Sequence, residues 1–179
     1  MTIATFNIDR THYNALLAVV KTVNVARPLD MIHVRISATG EAYAEASDGH
    51  RAIRVPIVSL DDGPADHSFQ IPHGTKAAPK RAGETLTCEI SDTAIKIGAL
   101  VTFSRAAAEF PDVDRVTPKA TDPRDGKVQL CFNPLLVVDV QKALDASHVR
   151  VTDTAEGSAY LVEFSDLPEV LFRLMPCRF

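Results

Sequence analysis

The 179 residues, 46% hydrophobic and 23% charged, suffice for one ordinary domain or one and a half small ones of soluble, globular composition. No apolar run nears the ~20 residues that span a bilayer, and Met1 to Arg10 lacks a basic cluster ahead of an apolar core, so no membrane anchor or signal peptide is expected and the cytoplasm is the default compartment. A net charge of −4 with 6% aromatics and no Trp excludes a surface that grips nucleic acid all over and disfavours base-stacking platforms, while leaving room for a local basic face.

The chain divides into three similar segments. In the first, from about Ala4 to Leu60, Thr5 to Ile8 begins a strand and Asp9 caps a helix. Its apolar residues Tyr13, Leu16, Leu17 and Val20 follow i, i+3, i+4, i+7 spacing. Three alternating runs follow: Ile32/Val34/Ile36, Ala42/Ala44/Ala46 and Ile53/Val55/Ile57. Gly40 and Asp48-Gly49 supply the turns between them. This segment reads β-α-β-β-β.

A hinge, Asp61 to Ala65, leads into the second segment, His67 to Pro118. Phe69 and Ile71 begin a strand, and Leu86/Cys88/Ile90, Ile95/Ile97 and Leu100 to Phe103 read as three more. Between them Pro72 to Ala82 is expected to be helical by analogy with the first segment, although Gly74 and Pro79 make it a poor helix on its own. A linker, Lys119 to Gly126, precedes the third segment, Lys127 to Phe179. There Val128, Leu130 and Phe132 alternate as a strand. Asn133-Pro134 opens a helix with apolar face Leu136, Val137, Val140, Ala143 and Leu144. Val149/Val151, Tyr160/Val162/Phe164 and Leu171 to Met175 complete three strands. One order of elements therefore repeats in units of roughly 50–60 residues.

Cys88, Cys131 and Cys177 are far apart, odd in number and flanked by apolar residues, which predicts buried or half-buried thiols rather than a zinc site or redox pair. The histidines have no ligand spacing, so neither a metal nor a cofactor is expected. Asp48 and His50 could be a base and its orienting acid, but no nucleophile can be tied to them, and no catalytic residue is assigned.

Three blocks carry a resemblance. Ala46-Ser47-Asp48-Gly49-His50-Arg51-Ala52 is similar to A-T-D-G-H-R-L of the bacterial DNA polymerase III β sliding clamp family. Phe110 to Pro118 is similar to its F-P-D-x-x-R-V-x-P, and Leu174-Met175-Pro176-Cys177-Arg178-Phe179 to its V-M-P-M-R-L. Their order and spacing are specific where each block alone is weak. The resemblance implies an α+β, DNA-clamp-like fold of repeated β-α-β-β-β half-domains, with antiparallel sheets and helices on one face. Residues 1–118 correspond to the middle domain, 119–126 to a linker and 127–179 to the back half of the last domain. The family's first domain and the front half of its third have no counterpart, so the similarity covers nearly all of this chain but about half of a family member.

The family binds peptides of replication and repair proteins in a hydrophobic cleft between its middle and last domains. The resemblance places Ser47, Gly49, His50, Arg51, Ala52, Pro111, Arg115, Val116, Leu174, Met175, Pro176, Cys177, Arg178 and Phe179 around that cleft. His50, Arg51 and Arg178 would bond peptide carbonyls or acidic flanks. Ser47, Ala52 and Cys177 replace Thr, Leu and Met, and Arg173 stands where the family is usually apolar. The bland alternative is a last strand that seals the core beside an ordinary hairpin turn.

Family helices line a ring around duplex DNA. The corresponding basic residues here are Arg10, Lys21, Arg27, His73, Lys76, Lys80, Arg81 and Lys142, and a solvated helix face is the competing reading. The third segment, without an intrachain mate, would expose Val137, Val140 and Leu144, which predicts a homo-oligomer, dimer or tetramer, with that stripe as its seam. Four chains of one and a half domains each would supply the six domains of a ring. The other reading is a cleft module that acts as regulator or decoy without circling DNA.

Overall fold

In a computed structural model, which describes residues 1–20, 29–60, 63–72, 74–116, 130–153 and 159–176, the first segment folds as its periodicity requires. Strand β1 (Thr2–Asp9) runs into helix α1 (Arg10–Val20), and β2 (Met31–Ile36), β3 (Ala42–Ser47) and β4 (Arg51–Pro56) follow. The Asp9 carboxylate accepts the Thr11 amide at 2.7 Å, a cap that satisfies one donor of the first helical turn. Tyr13, Leu16, Leu17 and Val20 are all buried. At the β3–β4 hairpin Gly49 adopts φ +83°, a left-handed conformation that residues with a Cβ adopt at a cost.

The second segment gives β6 (Ala65–Gln70), β7 (Thr85–Ser91), β8 (Ala94–Ile97) and β9 (Val101–Ser104), after a two-residue strand β5 (Val58–Ser59). The helix expected over Pro72 to Ala82 does not form: the described residues of that stretch hold only one 3-10 turn, Lys80–Ala82. Gly74 sits at φ +84°, outside helical space, and Pro72 and Pro79 each remove an amide donor. The segment is instead tied to α1 by polar bonds. The Asn14 side chain donates to the Ala78 carbonyl at 3.2 Å and accepts the Ala78 amide at 2.7 Å, and Arg10 Nε donates to the Gly83 carbonyl at 3.0 Å.

The third segment gives α2 (Leu135–Leu144), β10 (Val149–Thr152), β11 (Tyr160–Phe164) and β12 (Leu167–Leu174). Its expected first strand is not seen: Leu130 to Phe132 carry no strand, and Val128 lies outside the described residues. Asn133 Oδ1 accepts the Leu135 amide at 3.1 Å, which starts the helix.

All pairings are antiparallel and make two sheets, β5-β1-β7-β8-β9 and β10-β11-β12-β4-β3-β2-β6. The first and second segments exchange leading strands, since β1 pairs with β7 and β6 with β2. Each thereby covers an edge that would otherwise be open. The third segment joins the first twice: β12 pairs with β4, and α2 packs along α1, which itself lies on β3 and β4.

These contacts correct the expectation of a missing mate. Val137, Val140 and Leu144 are 7%, 0% and 3% exposed within the single chain and belong to one core with Leu16, Leu17, Ile53 and Phe172. No second copy is needed to shield that stripe, so the argument for a seam there fails. Cys88 is buried and Cys131 half-buried, while Cys177 lies outside the described residues. Burial pushes the Cys88 thiol up to about 12, which makes it chemically inert.

Candidate functional site

Strand alternation decides which residues of the β4–β12 seam face the core and which face away. The register sets Leu174 opposite Arg51 and Arg173 opposite Ala52. Phe172 and Leu174 are fully buried core residues, whereas Arg173 and Met175 point to the other, outer face. There they line a cavity of about 200 Å3 with Leu29, Ser47, Gly49, Arg51, Ala52 and Ala159. Its opposite wall is Pro111, Asp112 and Val113, from the segment that follows β9. The cavity therefore draws on all three blocks singled out in the sequence, which lie far apart along the chain.

Two contacts hold the wall in place. Phe110 stacks on His33 of β2, ring centroids 5.2 Å apart and planes 10° from parallel. Asp114 accepts Arg54 Nη2 at 3.0 Å. Arg54, on β4, also bonds Glu45 of β3 at 3.0 Å, and its guanidinium lies 4.1 Å from the centre of the Tyr43 ring. Burial raises the Glu45 pKa, and the Arg54 charge pulls against that rise. Arg54, Glu45, His33 and Val113 were not picked out from the sequence. The available signal was alternation: His33, Arg35, Tyr43, Glu45 and Arg54 interrupt the apolar residues of β2 to β4 in period two, which marks a sheet face turned away from the main core.

The candidate residues divide as follows. Ser47, Gly49, Arg51, Ala52, Pro111 and Met175 come together at the cavity. Arg51 does so as part of the wall but not as a free donor. Its Nε bonds Asp48 at 3.1 Å, Nη2 the Ala18 carbonyl at 2.9 Å, and Nη1 the Leu136 carbonyl. It ties the hairpin turn to the ends of both helices, so the idea that it bonds peptide carbonyls is replaced by a structural one. The Asp48 carboxylate is likewise occupied, since it also accepts the amides of His50 and Arg51, each at 2.9 Å.

Leu174 belongs to the core rather than to the cavity. His50 is exposed, with its carbonyl accepting the Met175 amide at 2.8 Å. Arg115 is exposed beside Asp112 at 3.3 Å, and Pro176 is half-buried; neither lines the cavity. Cys177, Arg178, Phe179 and the Val116 side chain lie outside the described residues.

Of the basic candidates, Arg10, Lys80 and Lys142 surround one depression between α1 and α2, together with Asn14, Asp139 and Asp145. Lys76 and Arg81 are exposed but not part of it, and Lys21, Arg27 and His73 are not among the described residues. No helix among the described residues is long and apolar enough to cross a membrane.

Arg173 is the unusual member of the cavity. It is 3% exposed, yet its Nε and Nη1 have no hydrogen-bond partner among the described residues. Burial, and then the neighbouring Arg54 charge, pushes its pKa down, while Asp114 and Glu45 pull it back.

No family model matches the chain, and no curated protein matches it. Solved structures do. The DNA polymerase sliding clamp of Pseudomonas aeruginosa with ligand superposes with a TM-score of 0.71 at 16% identity, over 100% of this chain and 67% of that one. The clamp of Caulobacter crescentus gives 0.66 at 18% identity, over 98% and 65%. A Pseudomonas aeruginosa clamp bound to griselimycin gives 0.66 at 17%, over 98% and 65%. The alignments thus extend over about two thirds of those chains, more than the half expected from the sequence blocks. With its strand-exchanged halves, one-sided helices and continuous β4–β12 seam, this chain has the α+β fold of the bacterial DNA polymerase III β sliding clamps, over about two thirds of their length.

Proposed function

We propose that this chain binds short peptides of replication or repair proteins in the cavity at the β4–β12 seam, and is a binding protein rather than an enzyme. The observation that carries this reading is the cavity itself: mostly apolar, about 200 Å3, and lined from three blocks that the chain must fold to bring together. Such composition suits recognition by apolar anchors with a few placed polar groups, and the flexible Met175, 36% exposed at the mouth, can repack around different anchors. The test is fluorescence polarisation with a short peptide bearing glutamine followed by leucine and phenylalanine. Submicromolar to micromolar binding, lost in Met175→Glu, supports the reading; undiminished affinity in that variant removes the cavity from it. Griselimycin, held by a clamp of this fold, provides a second probe of the same variant.

Duplex DNA is the proposed second partner, met by the α1–α2 face where Arg10, Lys80 and Lys142 converge. Charge reversal at Lys80 and Lys142 would then lower duplex affinity evenly across sequences and flatten its salt dependence, because phosphate contacts carry no base information. Asp139 and Asp145 in the same depression weaken its field. Whether chains close into a ring is a separate matter. The single chain's burial of Val140 and Leu144 favours the second reading, a cleft module that regulates or competes for clamp partners without encircling DNA. Mass measurement in solution separates them: a tetramer supports the ring, a monomer the module.

A further inference from the structure

We propose that the peptide taken by this cavity carries an acidic side chain, whose carboxylate pairs with Arg173 on the cavity floor. The inference rests on the peptide-binding reading and sharpens it.

Arg173 occupies the middle of the sheet, opposite Ala52 on one side and Leu161 on the other. With 3% of its surface exposed it is removed from bulk water, and its Nε and Nη1 are unpartnered among the described residues. A guanidinium does not escape this by losing its proton, and a buried charge without a partner is costly.

The acids around it are committed elsewhere. Glu45 and Asp114 both bond Arg54, each at 3.0 Å. Asp112, on the cavity wall, lies 3.3 Å from Arg115. Arg54 itself adds positive charge on the same face. An incoming carboxylate would both accept from the unpartnered N–H groups and neutralise the charge, whereas an amide in its place would satisfy a donor without neutralising the charge.

Depth favours a side chain over a peptide terminus as the source. The guanidinium lies recessed among Ala52, Pro111, Val113 and Met175. A glutamate or aspartate can reach down while its backbone stays at the rim, but a terminal carboxylate would have to bring the backbone, with its own polar groups, into apolar surroundings.

The experiment uses amidated peptides with fixed leucine and phenylalanine anchors. One glutamate is walked through the remaining positions, and each peptide is compared with its glutamine twin by fluorescence polarisation on the wild-type chain. At one position glutamate should bind about tenfold or more tighter than glutamine, and Arg173→Met should erase that advantage while the glutamine peptide still binds. Equal affinity of every pair overturns the acidic subsite and leaves the cleft standing; no binding by any peptide overturns both. An advantage that survives in Arg173→Met belongs to another cation, and one seen only with a free C-terminus belongs to a terminal carboxylate; either overturns the proposal. Should Arg173→Met fail to fold, Arg173→Gln keeps a donor but not the charge, and full persistence of the preference there overturns it as well.

Discussion

Two arginines lie one register position apart on the β4–β12 seam. Arg51 faces Leu174 across it, and Arg173 faces Ala52. Both side chains are almost wholly buried. Arg51 turns towards the helices, where Asp48, Ala18 and Leu136 take up all three of its nitrogens. Arg173 turns to the outer face, where Nε and Nη1 bond nothing among the described residues. Since buried polar groups in folded proteins nearly always find partners, a satisfied arginine reads as part of the fold and an unsatisfied one as a place where something else binds. The inner face of this seam is thus built for stability, whereas the outer face keeps a buried guanidinium without a bond among the described residues, the place we propose for a ligand.

The inner face should be the more fragile under substitution. Val140, wholly buried between the first and third segments, is the severest test. Val140→Asp places a carboxylate in an apolar core and should abolish cooperative folding at every protein concentration, as followed by circular dichroism. A folded, monomeric Val140→Asp derived from an oligomeric wild type would instead restore a seam between chains. Arg51→Met should come next, with a loss of about 3–5 kcal/mol in urea denaturation, because it removes the cation beside the buried Asp48 carboxylate and the donor to the Ala18 carbonyl in the last turn of α1.

What the sequence revealed follows the range of the forces involved. Local alternation in Ile32/Val34/Ile36 and Ile53/Val55/Ile57, the Asp48-Gly49 turn and the α1 stripe are set within a few residues, and all appear where expected. The failed helix over Pro72 to Ala82 was imposed by analogy against the local chemistry of Gly74 and two prolines, and local chemistry prevailed. Pairing of β12 with β4 depends on strands more than a hundred residues apart, and no local pattern encodes it. Hence the third segment looked unpartnered when it was not. Within the site, period-two alternation was available and would have assigned Leu174 to the core and Arg173 with Met175 to the cavity. The partners of Arg51, by contrast, lie on two helices whose approach only the fold reveals.

Arg173→Met should act in the opposite sense to Arg51→Met. Replacing an unpaired buried charge with an apolar side chain of similar length removes a desolvation cost without breaking a bond, so stability in urea should be unchanged or rise by up to about 1–4 kcal/mol. A loss as large as that of Arg51→Met would mean that Arg173 is a second structural anchor and that the two faces do not differ.

The smallest effect expected is one of pH, and it tests whether the outer wall can loosen by itself. His33 and His12 are both held below the ordinary histidine pKa, in each case chiefly by burial. For His33, Arg35, Arg54 and His67 add to the depression and Asp66 opposes it; for His12, Asp9 and Glu169 oppose it. The unfolded chain takes up these protons at about pH 6.5, before the folded chain does. The folded state is therefore fully favoured above that pH and loses stability as pH falls from there towards the folded pKa values. Glu45, with its pKa raised, works in the other direction, but only nearer the carboxylate range. Between about pH 7.5 and pH 6 the histidines should dominate, and denaturation midpoints should fall. The two faces then separate by readout. His33 stacks on Phe110 of the cavity wall, so its protonation should weaken peptide binding along with stability, and His33→Phe, which retains a stacking ring, should flatten both. His12 lies on α1, away from the cavity, so His12→Phe should flatten the stability profile alone. If peptide affinity keeps its full pH dependence in His33→Phe, the wall is not held by that stack, and the outer face is as rigidly built as the inner one.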